Sequence, residues 1–359
     1  MSFRTRRIIF ACPFFGIFYF FLIKYLFLLL GGLNDWIILY ITLALALLHI
    51  LPTLFEERES RFITRLFANI YGVIQWLSVM YLIEIALIYL FSCFINLDAY
   101  ILPLLSIVPL IGVYAYYHAH KIIVKEKTIV INNLREEINI AHISDVHYGS
   151  LMNDGALNRL KNALVQISDD VDVVIISGDL ADGSCVVNED DFYPLSKINI
   201  PIIFTPGNHD YYPGIENVKS ACRKANIRIL DNEKMEFNGI NIFGYSFSFS
   251  KIPQVSEEEL YNSILSDGAN IIIYHTPKNW EVFSKLGFDL QLSGHTHGGQ
   301  FHPGIFFSNL IFGYNKGLFE NKINNKKHYL SVTTGIGVMD FPMRWGTDAE
   351  IVILKLKKS

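Results

Sequence analysis

The stretch DLQLSGHTHGGQF, residues 289–301, places two histidines directly after a short apolar run. A short apolar run that stops at Gly and polar residues is typical of a buried strand followed by a turn. Four further apolar runs stop at similar polar turns, which are SDVHYG (144–149), SGDLAD (177–182), PGNHDY (206–211) and YHTP (274–277). Because the carboxyl ends of strands in an open α/β sheet meet at one crevice, we expect these five turns to lie together.

The apolar runs before these turns predict the fold class of the last two thirds of the chain. The clearest of them are INIAHIS (138–144), DVVIIS (172–177), IPIIFT (200–205) and NIIIYH (270–275). Segments with the texture of helices lie between the runs, at residues 155–167, 215–225 and 257–265. This alternation predicts an α/β domain with a β-sheet core that helices cover on both faces.

The first third of the chain is apolar enough to cross a membrane. Hydrophobic residues make up 51% of the chain and charged residues only 18%, which excludes a disordered or coiled-coil chain. Four apolar stretches, at 8–30, 36–55, 68–95 and 99–117, are each long enough to span a hydrocarbon core of about 30 Å. We therefore predict an α-helical membrane domain of four spans over residues 1–117, a linker over 118–137 and the α/β domain over 138–357.

The basic residues of the short connecting segments predict the orientation of these spans. Three segments are rich in basic residues. Arg4, Arg6 and Arg7 precede the first span; Arg58, Arg61 and Arg65 follow the second; and Lys121, Lys125 and Lys127 follow the fourth. The two other connections, near residues 31–35 and 96–98, contain no Lys or Arg. We expect a multi-pass protein of the inner cell membrane whose termini and catalytic domain lie in the cytoplasm.

Composition also excludes several kinds of partner and cofactor. The net charge of −4 provides no strong positive field, so we expect no nucleic-acid binding. The four cysteines have no CxxC spacing and none lies in a ligand turn, which disfavours both a disulfide framework and a structural zinc site.

The residue types in the five turns indicate metal-dependent phosphoester chemistry. Carboxylate, imidazole and amide oxygen together suit first-row divalent metals, and five of the eleven histidines lie in these turns. Asp145 and His147, two residues apart at a strand end, can bind one ion, and a carboxylate such as Asp179 can bridge two. Two ions about 3.5–4 Å apart can clamp the attacking and leaving oxygens and generate hydroxide at neutral pH.

In order and spacing, the five turns resemble the calcineurin-like metallophosphoesterase superfamily, with Asp-x-His, Gly-Asp-x-x-Asp, Gly-Asn-His-Asp, a lone His and Gly-His-x-His. The resemblance covers nearly all of residues 138–357. It implies two divalent ions, manganese, iron or zinc, of which one is held by Asp145, His147, Asp179 and His297. It implies that the other ion is held by Asp179, Asn208, His275 and His295. It also implies that His209 acts on the leaving group or on transition-state charge, with Asp210 orienting it.

The doubled glycine and Gln300 in residues 289–301 are similar to a membrane-associated bacterial branch of phosphodiesterases, some of which act on lipid-linked or nucleotide-linked substrates. Arg344, ahead of the last strand, is expected to contact a phosphate through its guanidinium group, and a surface salt bridge is the alternative. The Phe-rich segment 301–319 is expected to be a membrane-facing lip, a substrate cover or part of the core.

The predicted function is therefore that of a membrane-bound phosphohydrolase with two metal ions. It would cleave a phosphodiester or pyrophosphate bond by attack of a metal-bridging hydroxide. Its partners would be membrane lipids and a phosphoester substrate, with a lipid-linked substrate of the UDP-diacylglucosamine type as one candidate. The alternatives are a membrane receptor that binds phosphate ligands without turnover, and a protein phosphatase.

Overall fold

The computed structural model describes residues 3–55, 62–250, 255–323 and 325–359, and for residues 3–11, 49–55 and 64 it describes the backbone alone. The chain divides into two compact units. One consists of Met1–Tyr117 with Asp340–Met343, and the other of His118–Met339 with Arg344–Ser359.

The first unit is built from apolar helices. Their bounds are α1 (Phe3–Leu29), α2 (Asp35–Phe55), α3 (Phe62–Ser92), α4 (Ile101–Leu105) and α5 (Ile107–Ala119). Large apolar side chains such as Phe14 and Trp36 are exposed on them, which is unfavourable in water and favourable in lipid. The helical unit is therefore suited to a lipid environment.

Three helical segments of the described residues are long and apolar enough to cross a membrane, namely Cys12–Leu29, Arg65–Ser92 and Asp98–Ala119. These segments correspond to the first, third and fourth predicted spans. The second predicted span contains a shorter apolar helix, Asp35–Leu48, so a four-span arrangement stays a prediction. The side chains of Arg4, Arg6, Arg7, Arg58 and Arg61, on which the orientation rests, lie outside the described part of the chain.

The second unit contains twelve described strands and five described helices. The strands are β1 (Ile122–Ile131), β2 (Ile138–Ile143), β3 (Val173–Ile176), β4 (Ile202–Phe204), β5 (Arg228–Ile229), β6 (Glu233–Phe237), β7 (Ile240–Tyr245), β8 (Ala269–Tyr274), β9 (Leu290–Ser293), β10 (Gly317–Ile323), β11 (Lys326–Val332) and β12 (Ala349–Lys358). The helices are α6 (Asp154–Gln166), α7 (Ile215–Lys224), α8 (Glu257–Ser263), α9 (Trp280–Leu286) and α10 (Gly304–Ile311). These strands and helices together confirm the prediction of a mixed α/β domain.

The strands form two six-stranded sheets, in the orders β1-β12-β2-β3-β4-β5 and β10-β11-β9-β8-β7-β6. One apolar cluster joins the facing sides of both sheets, with Val173 and Ile175 from the first and Ile271 and Ile273 from the second. The alternate residues of β3, Val174 and Ile176, pack instead with residues of α6 and α7. The expectation that helices cover both faces of one sheet is thus wrong, because the inner face of each sheet is covered by the other sheet.

The predicted linker, residues 118–137, contains a strand of the first sheet. Strand β1 pairs in parallel with β12 from Ile122, opposite Ala349, to Ile131, opposite Lys358. Ile129 and Ile131 are buried in the cluster between the sheets. Residues 122–131 are therefore an edge strand of the domain and not a linker. Their alternate apolar side chains are part of the domain core.

Candidate metal centre

The two sheets contribute their strand ends to one cluster of polar side chains. Asp145 and His147 follow β2, and Asp179 follows β3. Asn208 and His209 follow β4 in the same sheet. The second sheet contributes the three remaining predicted ligands, which are His275 after β8 and His295 and His297 after β9. The structure thus brings together every predicted metal ligand and His209, in agreement with the expected crevice.

Several of these residues have an unusual backbone conformation. Left-handed φ values, from 49° to 73°, occur at Asp145, His147, Asp179, His295 and His297. Non-glycine residues rarely adopt this region, and where they do they are often found at functional sites. Main-chain bonds hold the turns in place, because Asp145 N–H donates to the Gly178 carbonyl at 3.0 Å and His147 N–H donates to the Asp179 carbonyl at 3.0 Å.

One group of potential ligand atoms comes from Asp145, His147 and His297, and these atoms lie within 4.8 Å of one another. The two Nε2 atoms of His147 and His297 are 3.0 Å apart. Nε2 of His297 lies 3.4 Å from Oδ1 of Asp145. All three side chains are buried, so this group could hold a cation shielded from water.

A second group comes from Asp179, His275 and His295, again with ligand atoms within 4.8 Å of one another. Nε2 of His275 lies 3.0 Å from Oδ2 of Asp179. The amide oxygen of Asn208 lies 3.1 Å from Nδ1 of His295, next to this group. A third group, formed by His147, Asp179 and His209, connects the other two.

The hydrogen bonds of His275 show that the site fits a metal ion. Nδ1 of His275 lies 2.8 Å from the Ser177 carbonyl oxygen. Because a carbonyl oxygen only accepts, Nδ1 must carry the proton, and Nε2 of the neutral ring then carries a lone pair. Nε2 is buried and has no hydrogen-bond partner among the described residues. It faces a carboxylate oxygen, and two such lone pairs repel each other unless a proton or a metal cation lies between them.

The electrostatics of the cluster also favour a cation. Burial alone would lower the pKa of His275, but the carboxylates of Asp179 and Asp145 outweigh burial and raise this pKa to about 10. Burial lowers the pKa of His295 to about 4, which keeps that imidazole neutral at pH 7 and available to bind a metal. The carboxylates that favour a proton on Nε2 of His275 would equally favour a metal cation at that position, because either places positive charge beside Asp179.

His209 lies at the edge of the cluster with a defined ring orientation. Its main-chain N–H donates to Oδ1 of Asp179 at 2.8 Å. Its Nδ1 lies 2.9 Å from the carbonyl oxygen of Asp182. Nδ1 therefore carries a proton, and Nε2 is the ring nitrogen left to exchange a proton with another group.

The expectation that Asp210 orients His209 differs from what the structure shows. The Asp210 carboxylate accepts hydrogen bonds from the main-chain N–H groups of Asp179 and Gly207, at 2.9 and 2.8 Å. It also accepts from the N–H of Ala181 at 2.9 Å. Asp210 thus connects the turns after β3 and β4, and the carbonyl of Asp182 orients the His209 ring instead. A main-chain acceptor of this kind cannot be identified from residue types.

The expectation that Arg344 contacts a phosphate is also inconsistent with the structure, and so is the alternative of a surface salt bridge. Arg344 is fully buried. Its Nη2 donates to the carbonyl oxygens of Thr334 and Gly337 at 2.7 and 2.6 Å, and its Nη1 donates to that of Asp348 at 2.8 Å. Main-chain carbonyls and the Thr347 hydroxyl therefore occupy both terminal nitrogens of the guanidinium group, and the remaining Nε is buried.

The partners of Arg344 lie in a loop that holds the first metal-ligand turn. The N–H of Gly337 donates to the Asp145 carbonyl at 2.7 Å, and the N–H of Ile336 donates to the Ser144 carbonyl at 3.0 Å. Residues 334–337 are thus fixed between Arg344 on one side and the Asp145 turn on the other. Sequence reasoning identified Arg344 as a notable residue but missed this structural role.

The fold and the cluster together define an α/β domain with groups of Asp and His side chains at its strand ends that could hold metal ions. The model of the calcineurin-like phosphoesterase family matches residues 138–299. An uncharacterized metallophosphoesterase of Aquifex aeolicus is 30% identical over 258 residues, which cover 69% of this chain and 97% of that protein. The chain therefore belongs to the calcineurin-like phosphoesterase family, which is metal-dependent.

Two further relatives have longer chains. An uncharacterized metallophosphoesterase of Helicobacter pylori is 30% identical over 239 residues, covering 65% of this chain and 63% of that protein. A protein of Danio rerio named "Transmembrane protein with metallophosphoesterase domain" is 25% identical over 256 residues, covering 64% of this chain and 56% of that protein. This chain thus spans less than two thirds of either relative.

Proposed function

We propose that the protein is a metal-dependent phosphohydrolase that cleaves a phosphodiester or pyrophosphate bond. The observation that carries this proposal is the continuous cluster of three Asp/His groups, in which His147 and Asp179 are each shared by two groups. A shared carboxylate is what two adjacent cations require, because it neutralises charge on both. Membership of a phosphoesterase family supports the same chemistry.

Two sets of residues would hold two ions, for which manganese, iron and zinc are the candidates. The first set is Asp145, His147, Asp179 and His297, and the second is Asp179, Asn208, His275 and His295. Divalent ions bound there supply Lewis acidity toward a phosphoryl oxygen and make water nucleophilic at neutral pH. The left-handed turns and the bonds of Asp210 to three main-chain N–H groups keep these side chains in place before substrate arrives.

His209 is the proposed proton donor to the leaving oxygen. The Asp182 carbonyl fixes the proton on Nδ1, so the protonated ring carries its transferable proton on Nε2. The third group places a ligand-type atom of His209 within 4.8 Å of ligand-type atoms of His147 and Asp179. His209 is also only partly buried, so a substrate can approach it from solvent.

A lipid-linked phosphodiester or pyrophosphate, for example of the UDP-diacylglucosamine type, is the proposed substrate class. Two observations support this substrate class. The first unit consists of apolar helices, and the Danio rerio relative is named a transmembrane protein. Aromatic side chains next to the centre add a third, because the ring of Tyr212 lies 5.0 Å from that of His209 and is exposed. Such apolar surface beside a polar centre favours an amphipathic substrate.

The test is manganese-dependent hydrolysis of a soluble phosphodiester, and of its monoester, by the detergent-purified full chain. We expect diester turnover that requires the metal and that falls by about 10²–10⁴-fold in His209→Ala. His302→Ala, which removes an exposed histidine outside the cluster, is the matched control and should retain turnover.

Three results would contradict the proposal or a part of it, each in a different way. Absence of turnover in a protein that holds two metal ions would favour a phosphate-binding receptor. Unchanged turnover in His209→Ala would mean that His209 is not the proton donor, although the enzyme assignment would stand. A preference for the monoester, or for a phosphopeptide, would favour a protein phosphatase.

A further inference from the structure

Helix α10 presents an apolar face to the outside of the protein. Four of its eight residues are large, apolar and 58–74% exposed, and they are Phe306, Phe307, Leu310 and Ile311. At 100° per residue these four positions occupy about 140° of the helix circumference, so they form one continuous face. The buried residues of the helix are Ile305 and the polar Ser308, whose hydroxyl donates to Asn315.

This distribution is opposite to that of an ordinary surface helix. A helix on a water-exposed domain buries its apolar residues and exposes its polar ones. Here the hydroxyl of Ser308 is buried, whereas the rings of Phe306 and Phe307 are exposed and no other described part of the chain covers them. Such an exposed apolar face indicates that α10 is covered by an apolar partner in the functional state.

Helix α10 is attached directly to the metal centre. The N–H of Ile305 donates to the Phe301 carbonyl at 3.0 Å, four residues after His297. At the other end, the ring of Phe312 lies 5.8 Å from the ring of His295. Whatever covers the apolar face therefore lies beside the cluster that would perform the chemistry.

The positive charge around α10 is complementary to the negative charge of an anionic lipid surface. Residues 290–319 contain no Asp or Glu, and their one Lys or Arg is Lys316. A cavity of about 310 Å³ is lined by three lysines, Lys125, Lys127 and Lys316, by Gly346, and by the carboxylates of Asp348 and Glu350. Lys125 pairs with both carboxylates, so Lys127 and Lys316 provide the positive charge that remains. A side-chain atom at Gly346 would lie 2.8 Å from Ile305 of α10, so this cavity adjoins the helix. Among the described residues, neither Lys316 nor Lys127 is in an ion pair with a carboxylate.

We infer that α10 docks onto an anionic lipid surface, with its apolar face among the acyl chains and the lysine-lined cavity facing the headgroups. The same chain carries three helical segments suited to cross a membrane, so a lipid surface is available to it. Phe, Leu and Ile on one face with basic residues nearby are typical of helices that lie in the membrane interface. This inference does not depend on the proposed catalytic activity.

The test places a fluorescent label on α10 of the full chain in lipid nanodiscs. Cys12→Ser and Cys93→Ser remove the accessible thiols, since Cys185 and Cys222 are buried. Ile311→Cys then carries the label, and Glu258→Cys on exposed α8 carries it in the matched control. We expect brominated phosphatidylglycerol to quench the Ile311→Cys label at least about threefold more than the control label.

Further variants and outcomes decide the inference. Phe307→Ser with Leu310→Ser changes only exposed side chains and should abolish the excess quenching while leaving the thermal midpoint unchanged. Equal quenching at both labelled positions would overturn the inference. A label at 311 that is shielded both from brominated lipid and from aqueous iodide would also overturn it, because a second copy of the chain would then cover α10.

Discussion

Arg344 is a buried cation that donates to several main-chain carbonyls and, at 3.2 Å, to the hydroxyl of Thr347. Burial lowers its pKa to about 10, so it remains charged at pH 7. Its guanidinium group donates hydrogen bonds to the carbonyls of Thr334 and Gly337. The loop that contains these two residues donates main-chain hydrogen bonds to the carbonyls of Ser144 and Asp145. The residue therefore links the last strand to the first metal-ligand turn. Its contribution is therefore to the placement of the turn that contains Asp145.

We expect Arg344→Met to destabilise the protein by about 2–4 kcal/mol, because several buried carbonyl oxygens lose their donors. Arg344→Lys should recover little, since an ammonium group cannot reproduce the planar fork of the guanidinium. The measurements are the thermal unfolding midpoint and the manganese affinity of the detergent-purified protein, both of which should fall.

Arg223→Met is the matched control for Arg344. Arg223 lies on α7 with an exposed side chain, and its nearest carboxylate, that of Glu216, is 4.0 Å away. We expect its loss to change the free energy of unfolding by less than about 0.5 kcal/mol. If both arginine variants behaved alike, the structural role given to Arg344 would be wrong.

Residue types predicted the positions of the site better than they predicted its supports. Asp145, His147 and Asp179 come together as expected, because carboxylates and imidazoles at strand ends have few structural uses. Asp210 and Arg344 were recognised but given the wrong contacts. Both bind main-chain groups, and the position of a main-chain group depends on the turn geometry that the fold imposes, such as the left-handed φ of Asp179.

Strand β1 is joined to the start of β12 by two partly exposed ion pairs of Lys125 as well as by its backbone. Nζ of Lys125 lies 2.6 Å from Oδ2 of Asp348 and 2.7 Å from Oε2 of Glu350. Burial would raise the pKa of Asp348, but the hydrogen bond and charge of Lys125 lower it below its ordinary value of about 3.9. Because the folded-state pKa is the lower one, this contribution to stability is present above pH 4 and is lost as the pH falls through the folded-state pKa.

Asp348→Asn should therefore lower the thermal midpoint at pH 7, and the difference from wild type should shrink as the pH falls below 4. The measurement is the difference in midpoint between wild type and variant at each pH, which cancels the titration of other groups. Glu137→Gln provides the control, because the carboxylate of Glu137 is exposed and pairs with exposed Lys357. A difference for Asp348→Asn that persisted unchanged down to pH 3 would show that the ion pair does not stabilise the folded state.

The elements themselves were predictable where their patterns were local. Runs such as residues 138–144 and 270–275 correspond to β2 and β8, and the segment 215–225 corresponds to α7. The packing of one sheet against another could not be predicted from the sequence. Strands β3 and β8 are apolar on both faces, and a strand of this kind can be covered either by a second sheet or by helices. Residues 122–131 are assigned to a linker for a similar reason, since the run Lys125–Lys127 has the charge pattern of a solvated connector.

The chain combines an apolar helical unit with a domain whose metal-type ligands are mostly buried. Residues 12–29, 65–92 and 98–119 have the length and composition of membrane spans, which indicates membrane association. The connections near residues 31–35 and 96–98 have no Lys or Arg, whereas the segment after α5 has three lysines, Lys121, Lys125 and Lys127. By the positive-inside rule we propose that the phosphoesterase domain faces the cytoplasm and that the second apolar segment also spans.

The native Cys93 provides a test of this topology. It follows α3, is exposed, and adjoins a connection that we place outside the cytoplasm. In a Cys12→Ser background, a membrane-impermeant maleimide should label Cys93 in intact spheroplasts. After Cys93→Ser, a thiol introduced by Asn34→Cys should be labelled in the same way, because α2 and α3 together return the chain to the same side. The thiol of Glu258→Cys, in the phosphoesterase domain, should be labelled only after the membrane is permeabilised. Labelling of Glu258→Cys in intact spheroplasts would reverse the proposed orientation, and protection of Asn34→Cys with labelling of Cys93 would exclude α2 as a span.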